Sequence, residues 1–179
     1  MARLWTGKGD DGTSGLLYGG REPKTAARFE AVGTVDEAQA AIGVARAEVA
    51  RGSELDELLV GLQRDLWILM AELSTAEAHR DRLTPGQSLV TEAMVARLGE
   101  LADEVGERFE LPREFVVPGE DRTSALLDLA RTVVRRAERA AAAVAPDGSL
   151  AVPYLNRLSS VLWTLARWVE GQPRTARGA

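Results

Sequence analysis

Cysteine is absent from the 179 residues, which excludes disulfides, thiolate metal sites and cysteine nucleophiles. Histidine occurs once, as His79, so neither the paired Glu-x-x-His motifs of a di-metal bundle nor an HExxH zinc site can be built. That one histidine stands in a polar stretch between helical patterns and reads as a surface residue, which argues against a Ser-His-Asp triad. No apolar run approaches the ~18 residues needed to span a bilayer. The opening Met1-Ala2-Arg3-Leu4-Trp5 passes straight into Gly and Asp without a signal-peptide stretch. The formal net charge is −5 and no Lys/Arg block stands out, so neither nucleic acid nor membrane is an expected partner. With the missing cysteines, this fits a cytoplasmic protein.

What is present is the balance of a soluble globular domain, 45% apolar and 27% charged, in a chain long enough for one sizeable core. Residues Thr6 to Gly15 hold four glycines, and Gly19-Gly20 follow; without helical periodicity, the first thirty residues read as a loop. From about Thr34 onward five apolar stripes recur at helical spacing. They run through Val35–Val49, Leu55–Leu73, Val90–Val105, Leu126–Ala137 and Leu155–Val169. A connector from Glu110 to Asp121 carries Pro112 and Phe115-Val116-Val117-Pro118-Gly119. Short connections favour antiparallel neighbours. The expected fold is therefore all-α, a five-helix bundle in a single domain over 1–179. Its parts are a loop over 1–30, a bundle over 34–171 and a frayed tail over 172–179.

Two stretches could carry chemistry. Glycine-freed backbone N–H groups around Lys8 can cradle phosphate oxygens, although the Walker pattern GxxxxGK[ST] is missing; a flexible arm is the plainer alternative. In the fourth stripe Arg131, Arg135 and Glu138 share one face at i, i+4 and i+7, flanked by Arg136 and Arg139. Guanidinium forks match phosphate oxygens. The plainer alternative is a solvated face of ion pairs, each worth a few tenths of a kcal/mol.

Four segments together resemble the PduO-type family of ATP:cob(I)alamin adenosyltransferases. Trp5-Thr6-Gly7-Lys8-Gly9-Asp10-Asp11-Gly12-Thr13-Ser14 is similar to its YT(R/K)TGDxGxT opening, and Arg28 to Glu37 to its RxEAYGTVDE block. Phe115 to Gly119 with Ala130 to Arg139 is similar to F(I/V)LPGG…ARTxxRRAER, and Tyr154 to Ser159 to (Y/F)LNRLSD. Order and spacing agree over nearly the whole chain. Departures are Gly7 and Lys8, where the family's positive charge is one position earlier, and Gln39, Glu120 and Ser160, where Asn, Gly and Asp are usual.

The resemblance implies transfer of the 5′-deoxyadenosyl group of ATP to the cobalt of cob(I)alamin, in a homotrimer with sites between adjacent subunits. ATP would be held by Thr6, Gly7, Lys8, Gly9, Ser14, Gly15 and Lys24, with Arg135, Arg136, Glu138, Arg139 and Asn156. Catalysis would rest on Arg131, Asp36, Phe115 and Arg135, with Arg131 pairing with Asp36 across the subunit boundary. Phe115 would bind cobalamin from beneath the corrin ring; packing at the end of the core is its plainer role. Mg²⁺ would ride on the ATP phosphates rather than on protein side chains. With no flavin or nicotinamide fingerprint and no cysteine, electrons would come from an external reductase. A cobalamin-dependent enzyme would accept the product. The rival readings are a non-catalytic carrier of ATP and adenosylcobalamin, and a helical interaction module without a small-molecule site.

Overall fold

The computed structural model describes residues 5–177. Among them are five α-helices, one 3-10 helix (Glu77–Arg82) and two pairs of short strands. The helices are α1 (Ala27–Ala47), α2 (Glu54–Leu73), α3 (Glu92–Gly106), α4 (Arg122–Ala142) and α5 (Ala151–Glu170).

Three helix starts follow from side-chain caps. Ser53, Thr91 and Asp121 accept from the backbone N–H of Asp56, Met94 and Ser124 at 3.3, 3.3 and 2.9 Å, satisfying donors that have no partner inside the helix. At α1 the cap position is Ala26, which makes no such bond. The usual start signal is therefore missing, and α1 begins at Ala27 rather than near Thr34. Pro153 sits in the first turn of α5, where its missing N–H costs no helical bond. Gly171 ends that helix at φ 72°, a conformation costly for a side-chain-bearing residue.

Helix α4 packs against both α1 and α5; α2 backs α1, and α3 lies on α5. Ion pairs fix the directions. Arg122 meets Glu48 at 3.1 Å and Arg136 meets Glu37, so α1 and α4 run antiparallel. Gln39 and Gln63 each donate to the other's carbonyl, at 2.8 and 3.1 Å, joining α1 to α2. Ala38, Ala45, Ala137 and Ala141 are fully buried, and small residues let helix backbones approach closely. Leu59, Leu66, Leu69, Leu155, Leu158 and Leu162 fill the remaining core, each contributing about 1.5–3 kcal/mol by burial.

The helical expectation holds for most of the chain, and the strand pairs are the correction to it. Within the expected N-terminal loop, β1 (Thr13–Gly15) pairs antiparallel with β2 (Arg21–Pro23), Ser14 opposite Glu22. In the connector, β3 (Val116–Val117) pairs antiparallel with β4 (Arg174–Thr175), and Ala176 N–H donates to the Phe115 carbonyl at 2.7 Å. The tail expected to fray from residue 172 is thus tied back onto the Phe115 connector; residues 178–179 lie outside the described part. Strands this short contain no readable period. His79, expected at the surface, is half-buried in the 3-10 helix.

Candidate active site

The N-terminal hairpin is shaped by one guanidinium. Arg21 donates to the Lys8 carbonyl at 2.5 Å and to Thr13 Oγ1 at 2.9 and 2.6 Å. The Thr13 backbone N–H and hydroxyl donate to Asp11 Oδ1 at 2.9 and 2.8 Å. These two bonds, with Arg21 adding a smaller effect, hold the Asp11 carboxyl below its ordinary pKa. A Cβ on Gly9 would lie 3.0 Å from Lys24 Nζ and 3.3 Å from the Thr13 carbonyl, so a side chain there would press on Lys24 where it lies across the loop. Lys8 and Lys24 are both exposed. The hairpin is seated on the end of α2: Leu17 N–H donates to the Ser74 carbonyl at 2.9 Å. Arg28 donates to the carbonyls of Leu73 and Thr75 at 2.8 and 3.1 Å, satisfying acceptors at the end of the helix.

A second group of expected residues meets where α4 and α5 face solvent. Arg135 donates to Glu138 at 2.6 Å and to Asn156 Oδ1 at 3.5 Å, and Arg139 donates to the Arg135 carbonyl at 2.9 Å. Arg136 is drawn away to Glu37 of α1. No hydrogen bond or ion pair among the described residues joins Thr6–Gly15 to Arg131–Arg139.

The third feature is an open cavity of about 580 Å³ where the connector meets α4 and α5. Phe115 stands on its rim, 89% exposed, so this ring does not plug the end of the core. Arg131 lines the same cavity and donates from Nε to Asp128 at 3.0 Å. Asp36 is exposed and lies elsewhere, in a hollow of about 350 Å³ with Leu17, Val32 and Trp67. Arg131 and Asp36 do not pair inside one chain.

Asp128, Trp163 and Arg167, which line the Phe115 cavity, were absent from the sequence expectations, as was Arg21 behind the loop. Arg167 and Glu170 at i,i+3 beside the α5 stripe were the available signal for a buried ion pair.

Comparison with known proteins decides the family. The cobalamin adenosyltransferase family model matches residues 4–169. The chain belongs to that family. A corrinoid adenosyltransferase of Mycobacterium tuberculosis (strain ATCC 25618 / H37Rv) is 38% identical, covering 98% of this chain and 97% of that protein. One from Citrobacter freundii is also 38% identical, covering 97% and 98%. Among solved structures, a variant PduO-type ATP:corrinoid adenosyltransferase from Lactobacillus reuteri, complexed with cobalamin and ATP, superposes with a TM-score of 0.86. It is 22% identical and covers 98% of this chain and 100% of that one, a likeness of fold.

Two departures from the adenosyltransferase pattern have partners here. Gln39 makes the reciprocal bonds to Gln63. Glu120 faces Arg174 of the tail at 3.6 Å. Ser160 is exposed. No helix among the described residues is long and apolar enough to cross a membrane.

Proposed function

We propose that this chain transfers the 5′-deoxyadenosyl group of ATP to the cobalt of cob(I)alamin, releasing triphosphate. Membership of the adenosyltransferase family supports the reaction, and Phe115 is the structural observation that carries it. A phenylalanine 89% exposed on the rim of an open cavity has little to gain from water. A corrin face would cover it.

In this reaction Co(I) attacks C5′ of ATP, the C5′–O5′ bond breaks, and its electron pair leaves with triphosphate. Cob(I)alamin is the nucleophile, so the protein needs no base. Its residues position the two substrates and neutralise the leaving charge. Lys8, Lys24 and the amides of Thr6 to Gly9, with Ser14 and Gly15, grip the triphosphate from one side. Arg135, Arg136, Arg139, Glu138 and Asn156 form the other side, with Arg135 nearest the reaction. Phe115 lies beneath the corrin and excludes its lower ligand, which eases formation of Co(I). Mg²⁺ is carried by the ATP phosphates, whose oxygens suit a hard cation.

The two walls come from different copies in a homotrimer. Trp67, 69% exposed beside Asp36, supports burial of that face against another copy, where Asp36 would meet the partner's Arg131. A head-to-tail ring sets one face of each chain against a different face of the next. A separate reductase supplies the electron, a cobalamin-dependent enzyme takes the product, and the setting is the cytoplasm. Anaerobic incubation of ATP with chemically reduced cobalamin tests the reaction. Repeated turnovers with loss of the Co(I) absorption and one triphosphate per adenosylcobalamin are expected; a single turnover with product retained would make the protein a carrier.

A further inference from the structure

Arg167 is among the largest fully buried side chains of the described residues, 1% exposed, and the chemistry above does not use it. It forms a wall of the Phe115 cavity together with Asp128 and Arg131. Its Nη2 donates to Asp128 Oδ2 at 2.6 Å, while the other oxygen of that carboxylate accepts from Arg131 Nε at 3.0 Å. One buried carboxylate is thus clamped between a buried guanidinium and one that reaches the cavity. Behind it, Glu170 Oε2 lies 3.0 Å from Arg167 Nε, but neither atom has a hydrogen-bond partner among the described residues. Ser124 Oγ donates to Glu170 at 3.2 Å and accepts from Arg167 at 3.4 Å.

Taking a guanidinium out of water is costly, and apolar residues of similar volume often stabilise a core at least as well. The bonding is also imperfect, since Arg167 Nε meets Glu170 as an ion pair at 3.0 Å without an aligned hydrogen bond. Stability alone does not account for the residue. Orientation does: the clamp engages only Nε of Arg131, and no hydrogen bond among the described residues occupies its terminal nitrogens. Those nitrogens form the end of the fork that recognises a carboxylate bidentately.

We propose that Arg167 is a positioning residue that acts through Asp128 to aim Arg131 at a carboxylate outside its own chain, deepening the adenosyl-transfer reading on which it rests. Losing the clamp leaves Arg131 in place but free to swing, so turnover falls while substrate affinity is largely kept.

The test is a double-mutant cycle on the full-length protein, with anaerobic turnover on ATP and chemically reduced cobalamin. Asp128→Asn keeps the side-chain volume; Arg167→Met is the companion variant, and if it fails to fold the cycle is read from Asp128→Asn alone. Asp128→Asn should lower kcat about tenfold and change KM for ATP less than about twofold. Added to Arg131→Lys, it should cost less than a further twofold or so, because both act on one interaction. Losses that multiply in the double variant, or a kcat that returns to wild type once corrected for folded fraction, would reduce Arg167 and Asp128 to packing. An inactive wild-type protein would overturn the transfer reading and this inference together.

Discussion

The hairpin and the Phe115 cavity organise charge by opposite means. In the hairpin Arg21 is exposed and binds backbone and side-chain oxygens 8 and 13 positions away within the same segment. At the cavity Arg167 and Asp128 are buried and join α5 to α4 across 39 positions. Local, solvent-exposed bonds are screened and individually weak; a buried network is held by the core around it. Under the proposed function the hairpin would grip a flexible triphosphate, and the cavity would hold a rigid macrocycle in one pose. Damage to the first should appear in ATP affinity, and damage to the second in turnover.

Phe115→Ala strains this contrast most. With cob(II)alamin and a reductant we expect a loss of about a hundredfold or more, equivalent to roughly 2.7 kcal/mol of transition-state stabilisation. Cob(II)inamide lacks the lower nucleotide base, and with it the loss should be much smaller. Because the ring is 89% exposed, thermal stability should hardly change. Equal losses on the two corrinoids would remove the ring from beneath cobalt. Arg131→Lys should come next. An ammonium cannot both keep the Nε bond to Asp128 and present a planar fork, so turnover should fall about tenfold, or roughly 1.4 kcal/mol. Near wild-type kcat would return Arg131 to a solvated helix face.

On the hairpin side, Lys8→Ala should raise KM for ATP severalfold, on the order of 1 kcal/mol for one exposed charge, and leave KM for cobalamin unchanged. Equal effects on both would indicate disorder of the loop. The smallest effect lies outside both regions and calibrates them. Asp56 accepts from Gly52 N–H at 2.8 Å and from Arg46 at 2.7 Å; the first bond, then the second, lowers its pKa. That contribution is present above the unfolded value of about 3.9 and is lost as pH falls through the lower folded value. Asp56→Asn should therefore flatten the acid limb of a pH-dependent denaturation curve without touching turnover.

The sequence made the helices legible because leucine spacing repeats: Leu55, Leu59, Leu62, Leu66, Leu69 and Leu73 are all buried on α2. Arg135, Glu138 and Arg139 were legible for the same reason, sharing one turn of one helix. The α1 start was hidden by a cap position occupied by Ala26, and the strand pairs by their brevity. The Arg167–Asp128–Arg131 chain was hidden because its Arg167–Asp128 link spans two helices, and no local pattern marks a long-range ion pair. The pairing of Asp36 with Arg131 came from family resemblance alone, and within one chain Arg131 bonds to Asp128 instead.

Completion of the site by a second copy is the central claim, and mixed trimers test it most directly. One variant loses the loop charges through Lys8→Ala with Lys24→Ala; the other loses the arginine wall through Arg135→Ala. Each alone should be nearly inactive at low ATP. Coexpressed, random mixing puts an intact loop opposite an intact arginine wall at about a quarter of the interfaces, so activity should recover to roughly a quarter of wild type. If each chain holds a whole site by itself, no subunit in the mixture is intact, and activity that stays at the level of the separate variants would contradict the account.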